Sequence, residues 1–191
     1  MKIITLFSKY KLWIVLFLIC FFIQWLNQAP LFRFDRQLIE HWQWWRLITG
    51  HVTHLNWSHF LLNMAGLAMV AFFFSSYKSD LYWLQALLFT AFFCSVGMLL
   101  DQQLNRYVGL SGVLHGLFII GGRWELRRYK LSGAMLLAII IGKLIYEQML
   151  GALPGSESMT GGRVAINSHL YGALAGGVFL LLGRIKMIRG A

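Results

Sequence analysis

Apolar residues fall into six blocks, at about 12–28, 57–76, 81–100, 108–122, 131–150 and 167–184, separated by short polar or charged stretches. A helix needs about 20 apolar residues to cross a bilayer core of about 30 Å. Within lipid, only helices and closed barrels satisfy every backbone polar group. The pattern therefore predicts an all-α, polytopic membrane protein, a bundle of six transmembrane helices forming a single domain over residues 1–191. The fourth block is unusual, because between Arg106 and Arg123 it rises only about 24 Å at 1.5 Å per residue. With Arg123 at the cytoplasmic surface, its other end, carrying Ser111, is expected below the external surface. The preceding stretch, Leu100 to Leu110, should then dip inward, as irregular backbone does only when shielded by protein or lining a wet cavity.

Composition agrees with the block pattern. At 58 % hydrophobic and 13 % charged residues, the chain departs from a soluble domain, whose charged fraction is about a quarter. Six spans leave no length for a second domain. The net charge of +10 does not imply nucleic acid, since the basic residues sit at block ends rather than on one amphipathic face. With the N-terminus inside, Lys2, Lys9, Lys11, Lys78, Arg123, Arg127, Arg128, Lys130, Arg184, Lys186 and Arg189 are cytoplasmic, against Arg33, Arg36, Arg46, Arg106 and Arg163 outside. That is the positive-inside bias, and it puts both termini in the cytoplasm. The first block resembles the front of a signal peptide, but Gln24, Trp25, Asn27 and Gln28 form no small-residue cleavage site, so a retained anchor is expected. The connection from about Ala29 to Asn56 is too polar to span and too aromatic for a linker. Trp42, Trp44, Trp45 and Trp57 suit the headgroup level, where an indole buries its ring and hydrogen-bonds its N–H. Cys20 and Cys94 lie in apolar blocks as small hydrophobes and make neither a disulfide framework nor a metal motif.

Polar residues intrude on three of the blocks. Ser111 stands in Gly109-Leu110-Ser111-Gly112 at the start of the fourth, His169 opens the sixth, and His59 and Asn63 share a face of the second. A serine alone is accounted for by bonding back to its own helix or by helix packing. A nucleophilic serine needs a base for its proton and donors for the oxyanion. Gly112 and Gly116 make a small-residue face on the fourth block, and Gly172 and Gly176 make another on the sixth. Such faces let backbones approach closely, which would bring His169 to Ser111. His59 and Asn63, with the Ser111 N–H, would then supply the oxyanion donors. His54, at or before the start of the same helix, is expected to tie the loop to the bundle. A zinc reading of His51, His54 and His59 fails on spacing and on the absence of a neighbouring Cys or carboxylate. Lys143 and Glu147, four apart in the fifth block, either neutralise each other or snorkel toward opposite interfaces, with a mechanical role if that span moves to admit substrate.

Taken together, Trp45-Arg46, His54-x4-His59-x3-Asn63, Gly109-Leu110-Ser111-Gly112 and His169-x2-Gly172-x3-Gly176 resemble the rhomboid family of intramembrane serine proteases, in the family's order and over nearly the whole chain. The resemblance implies a six-helix fold, no cofactor and a Ser-His dyad without aspartate. Ser111 would be the nucleophile, His169 the general base and acid, His59 and Asn63 the oxyanion donors, and Arg46 the organiser of the first loop. Many bacterial rhomboids carry an aromatic residue four positions after the serine; this chain has His115, which could stack on His169, hydrogen-bond to it, or compete as the base. The compact size and the string Gly-Leu-Ser-Gly-Val-Leu-His-Gly look like the rhombosortase subgroup. That likeness implies a bacterial inner-membrane enzyme with its site open to the periplasm. Its partners would be the lipid bilayer and a transmembrane or C-terminally anchored protein bearing a Gly-Gly-type sorting tail. A catalytically dead helix binder is the rival reading, and a channel a weaker one, because the polar residues cluster toward one half rather than forming a path across.

Overall fold

The computed structural model describes the backbone of residues 2–189 and the side chains of residues 9–183. Lys2, Arg184, Lys186 and Arg189, which enter the charge count above, have side chains outside the described residues. Helix α1 (Lys2–Trp25) ends where Asn27 takes a left-handed φ of 51° and the Gln28 N–H turns back to the Ile23 carbonyl. The first connection is folded, not extended. It comprises α2 (Ala29–Phe32), β1 (Phe34–Asp35), α3 (Arg36–Glu40), α4 (Arg46–Thr49) and a single 3-10 turn over Gly50–Val52.

Helix α5 (Trp57–Phe74) starts at Asn56, whose side chain accepts from the His59 N–H at 2.8 Å. A side-chain oxygen there satisfies one of the N–H groups that a helix start leaves open. Helix α6 (Asp80–Leu100) is capped likewise by Ser79, with Asp80 complementing the positive end of the helix dipole. The strand β2 (Arg106–Tyr107) returns to pair antiparallel with β1, Phe34 opposite Tyr107 and Asp35 opposite Arg106. Then follow α7 (Ser111–Arg128), α8 (Lys130–Leu150), the short α9 (Ser156–Thr160) and α10 (Ile166–Arg189).

Six helices are therefore long. Among the described residues, four stretches are long and apolar enough to cross a membrane, at 57–77, 80–100, 130–150 and 166–183. Three expected spans differ from the helices at their ends, the sixth because α10 runs on past 184 to Arg189. The first helix starts ten residues before position 12 and stops at Trp25, where Asn27 turns the chain. The fourth begins at Ser111, not 108, and runs on past 122 to Arg128. The extension carries Arg123, Arg127 and Arg128, whose hydrophilicity hides from a block count a turn that the backbone readily makes. It is anchored by Glu125, which accepts from Ser132 Oγ at 2.8 Å and from the Tyr77 hydroxyl.

Helix α7 lies at the centre, packed against α5, α6, α8 and α10. One face of it supplies Val113, Leu117 and Ile120 to a core shared with Trp13, Phe60, Phe74 and Trp83. In lipid, such contacts hold through packing and dispersion, not through release of water. Helix α8 is peripheral: its buried residues are Gly133, Leu144 and Glu147. Leu100 to Leu110 folds against the first connection, with the Gly109 N–H bonded to the Gly50 carbonyl and Tyr107 edge-on to His51. Protein shields only the end of this stretch, where Tyr107, Gly109 and Leu110 are buried, while Leu100, Gln102, Gln103, Asn105 and Arg106 are exposed.

Candidate active site

Ser111 is the first residue of α7 because Gly109 breaks the chain just ahead of it. Gly109 has φ +128°, and a Cβ there would stand 2.8 Å from the His59 ring. Both the conformation and the space demand glycine. As the opening residue of a helix, Ser111 has no carbonyl one turn back to take its N–H. The Gly112 N–H beside it donates to the Tyr107 hydroxyl, which itself donates to the Gly109 carbonyl at 2.6 Å.

The two glycine faces meet. A Cβ on Gly172 would lie 1.8 Å from the Gly112 carbonyl oxygen, and one on Gly176 would lie 2.5 Å from that of Gly116. No side chain larger than hydrogen fits between α7 and α10 at these positions. The close approach carries His169, one turn before Gly172, to Ser111, where His169 Nε2 stands 3.0 Å from Ser111 Oγ. Ser168 beside it is fully buried and receives the Cys94 thiol on its carbonyl.

His115 lies one turn along α7 and stacks on His169, with ring centroids 4.2 Å apart and planes 17° from parallel. Of the three roles open to it in the sequence, stacking is the one this geometry shows. Its Nδ1 is 2.7 Å from the Ser111 carbonyl, an acceptor, so Nδ1 carries the proton. Its Nε2 is 3.0 Å from the Lys143 ammonium, a donor. Both nitrogens are thus engaged away from Ser111 Oγ.

Glu147 was not assigned to the site from the sequence. Its carboxylate is 2 % exposed, with Oε1 2.6 Å from Lys143 Nζ and Oε2 2.9 Å from His169 Nδ1. Of the two sequence expectations for this pair, mutual neutralisation holds and snorkelling to opposite interfaces does not. The dyad implied by resemblance therefore has a carboxylate behind its histidine, brought by α8. The available signal was an ionisable pair inside an otherwise apolar span, which marks function by default but not which function. His115, Glu147 and His169 also offer ligand atoms within 4.8 Å of one another, a spacing a metal ion could use. The Lys143 ammonium stands among those atoms, 3.4 Å from His169 Nδ1.

His59 and Asn63 are buried on the facing side of α5 and line one cleft with Ser111 and His169. His59 Nδ1 receives the Leu55 N–H at 3.4 Å, which leaves its proton on Nε2, a donor. Asn63 Nδ2 donates one hydrogen to the His59 carbonyl at 2.9 Å and keeps a second. His54 is buried edge-on to His59 and Phe60. It was expected to tie the loop down, but its ring nitrogens have no hydrogen-bond partner among the described residues, so its tie is by ring packing alone. Burial, with the neighbouring His59, holds His54 down to about 3, and burial holds His51 down to about 4. Both are neutral at physiological pH.

Arg46 is 3 % exposed and donates to Gln43 Oε1, the Pro30 carbonyl and the Arg33 carbonyl, which closes the first connection on itself. Asp101, just past α6, accepts from Asn167 Nδ2 at 2.6 Å and from the Tyr171 hydroxyl at 3.0 Å, clamping the start of α10. Its partial burial acts to raise its pKa, but these donors and the Gln103 N–H outweigh that and hold it below the usual carboxylate range. Trp42, Trp44, Trp45 and Trp57 all present exposed indoles.

The cleft measures about 1160 Å³ and runs between α5 and α8, from Arg33, Arg106 and Arg163 at one end to Phe73 and Leu131 at the other. Fold and site together define a class: an integral membrane protein of packed helices, with a serine hydroxyl held to an imidazole at the wall of a cleft flanked by apolar spans. Residues 41–185 match the family model described as Rhomboid domain, and the chain belongs to the rhomboid family. Members of this family are intramembrane serine proteases. Comparison with curated proteins and with solved structures gave no match.

Proposed function

We propose that this protein is an intramembrane serine endopeptidase in which Ser111 is the nucleophile and His169 the general base and acid. The observation that carries the reading is the 3.0 Å approach of His169 Nε2 to Ser111 Oγ inside a cleft bordered by lipid-facing helices. Ser111 Oγ attacks the scissile carbonyl carbon as His169 Nε2 takes the hydroxyl proton. His59 Nε2–H, the free Asn63 N–H and the Ser111 N–H stabilise the oxyanion, where preorganised donors in a water-poor site are most effective. The tetrahedral intermediate collapses with cleavage of the C–N bond, and the proton passes from His169 to the leaving amine. Water then attacks the acyl ester with the same base, releasing the new carboxyl end and restoring Ser111.

The substrate in this reading is a membrane-anchored protein whose helix enters between α5 and α8 and unwinds near the external interface. The membrane arrangement is six spans, α1 and α7 joining the four stretches at 57–77, 80–100, 130–150 and 166–183, with both termini cytoplasmic and the site opening to the periplasm. The distribution of basic residues supports it: Arg33, Arg36 and Arg106 gather around Asp35 and Asp101 at one end, while Lys11, Lys78, Arg127 and Arg128 gather around Asp80, Tyr77 and Trp124 at the other. The narrower reading, processing of C-terminal Gly-Gly-type tails of secreted proteins in a bacterial inner membrane, rests on the likeness of the Ser111 string to rhombosortases. Comparing the secreted proteome of cells carrying wild type or Ser111→Ala tests it: retained C-terminal tails support it, and unchanged termini remove it. For the peptidase reading, a fluorophosphonate should label wild type in native lipid and leave Ser111→Ala unlabelled. Absence of wild-type labelling would favour a non-catalytic helix binder.

A further inference from the structure

The mechanism above leaves Lys143, Glu147 and His115 without a task, although each is turned toward the proposed catalytic pair. We propose that Glu147 is a positioning residue that completes a Ser111-His169-Glu147 triad, with Lys143 as its counter-charge and His115 linking Lys143 to the backbone of Ser111. This inference rests on the peptidase reading.

Proton bookkeeping supports it. A carboxylate is acceptor-only and an ammonium donor-only. Glu147 Oε2 at 2.9 Å therefore requires the proton of His169 to sit on Nδ1. His169 Nε2 is then a lone pair, and the contact at 3.0 Å is Ser111 Oγ donating to it. Lys143 donates to Glu147 Oε1 and to His115 Nε2, and His115 Nδ1–H donates to the Ser111 carbonyl. One assignment of protons satisfies all of these contacts. Lys143 Nζ and His169 Nδ1, at 3.4 Å, are both donors and merely adjacent. If Glu147 served only to neutralise Lys143, one carboxylate oxygen would suffice. The second oxygen is directed at His169, on a different helix and 22 residues away in sequence.

The consequence for the reaction is specific. When Ser111 Oγ–H loses its proton to Nε2, His169 becomes an imidazolium whose Nδ1–H still points at a carboxylate. Glu147 keeps its charge and receives no proton, so the arrangement fixes tautomer and orientation and stabilises the cation. An uncompensated carboxylate at this depth would be costly, and the Lys143 ammonium offsets it. His115 then couples the ammonium to the Ser111 carbonyl, so the positions of nucleophile, base and carboxylate depend on one another.

The full-length protein in proteoliposomes tests this with fluorophosphonate labelling, substrate turnover and ¹⁵N NMR of labelled histidine. Wild type should show His169 with Nδ1 protonated and Nε2 free. Glu147→Gln should lower kcat and labelling rate by about 10²–10⁴-fold with KM changed by less than about threefold. Glu147→Asp should recover at least about tenfold of that loss. The double variant Lys143→Met/Glu147→Gln removes both charges of the pair, the buried carboxylate and its half-buried ammonium; it should fold and remain as slow as Glu147→Gln. Labelling of either Gln variant within about threefold of wild type overturns the proposal. So does a wild-type His169 with Nδ1 unprotonated, and that measurement needs no variant and no activity. Wild type that never labels would instead remove the peptidase reading, leaving the NMR result to decide the role of Glu147.

Discussion

Substituting Gly172 by alanine should damage the site although helix propensity favours the change. In a helix interior alanine is better than glycine by about 0.8–1.0 kcal/mol. Here the added Cβ would lie 1.8 Å from the Gly112 carbonyl oxygen. An ordinary carbon–oxygen approach is about 3.3 Å, so α7 and α10 must separate by about 1.5 Å where they cross. The atom that must yield is backbone, one residue from Ser111, and His169 is one turn from the new methyl. Overpacking of this kind costs about 1–3 kcal/mol. The 3.0 Å contact between Ser111 Oγ and His169 Nε2 would open with the helices. A misplacement of about 1 Å at reacting atoms costs about 10²-fold in rate. Gly177 is the internal control, because a Cβ there meets nothing within 4 Å. The assay is the second-order rate of fluorophosphonate labelling, with thermal unfolding in the same lipid. Gly172→Ala should label about 10²-fold more slowly and unfold at lower temperature, while Gly177→Ala matches wild type or gains stability. Gly172→Ala labelling at the wild-type rate would refute the claim that the glycine faces set the distance between serine and histidine.

Asn63→Ala should lower kcat by about 10²–10³-fold with KM little changed, as expected for a donor used in the transition state. A raised KM with kcat unchanged would show that Asn63 serves uniform binding instead. His115→Phe keeps a stacked ring and should retain turnover better than His115→Ala, by the factor of about 2–12 that an aromatic pair worth about 0.5–1.5 kcal/mol allows; the reverse order would count against stacking. Arg46→Lys should lower the thermal midpoint nearly as much as Arg46→Ala, since one ammonium cannot reproduce the fork that reaches Gln43, Pro30 and Arg33. An unchanged midpoint in Arg46→Lys would disprove that role. Asp101 has its folded pKa lowered below the unfolded value, so its contribution is fully present above the ordinary carboxylate pKa and is lost as pH falls through the lowered value. The gap in thermal midpoint between wild type and Asp101→Asn should therefore close on acidification, and a gap independent of pH would contradict it.

Much of this was legible in the chain because it is written in local terms. Block length and the Gly112, Gly116, Gly172 and Gly176 spacing foretold which helices touch, since small-residue faces act through backbone geometry alone. The nature of the Lys143–Glu147 pair was legible, but its direction was not. Two residues four apart share a helix face, yet which neighbour that face meets depends on how α8 is rotated against α7 and α10. The same holds for His115: spacing placed it one turn from Ser111, but its proton position follows from two partners, the Ser111 carbonyl on its own helix and Lys143 on α8. The early end of α1 and the late end of α7 were hidden for another reason, since hydropathy reports where a chain prefers lipid, not where its backbone stops being helical.

Cleavage of a reconstituted transmembrane substrate, followed by mass spectrometry of the products, tests the central claim most directly. Wild type in proteoliposomes should cut the chain once near the external interface, and Ser111→Ala and His169→Ala, folded to the same thermal midpoint, should leave it intact. Cleavage at the same bond by either variant would contradict the account.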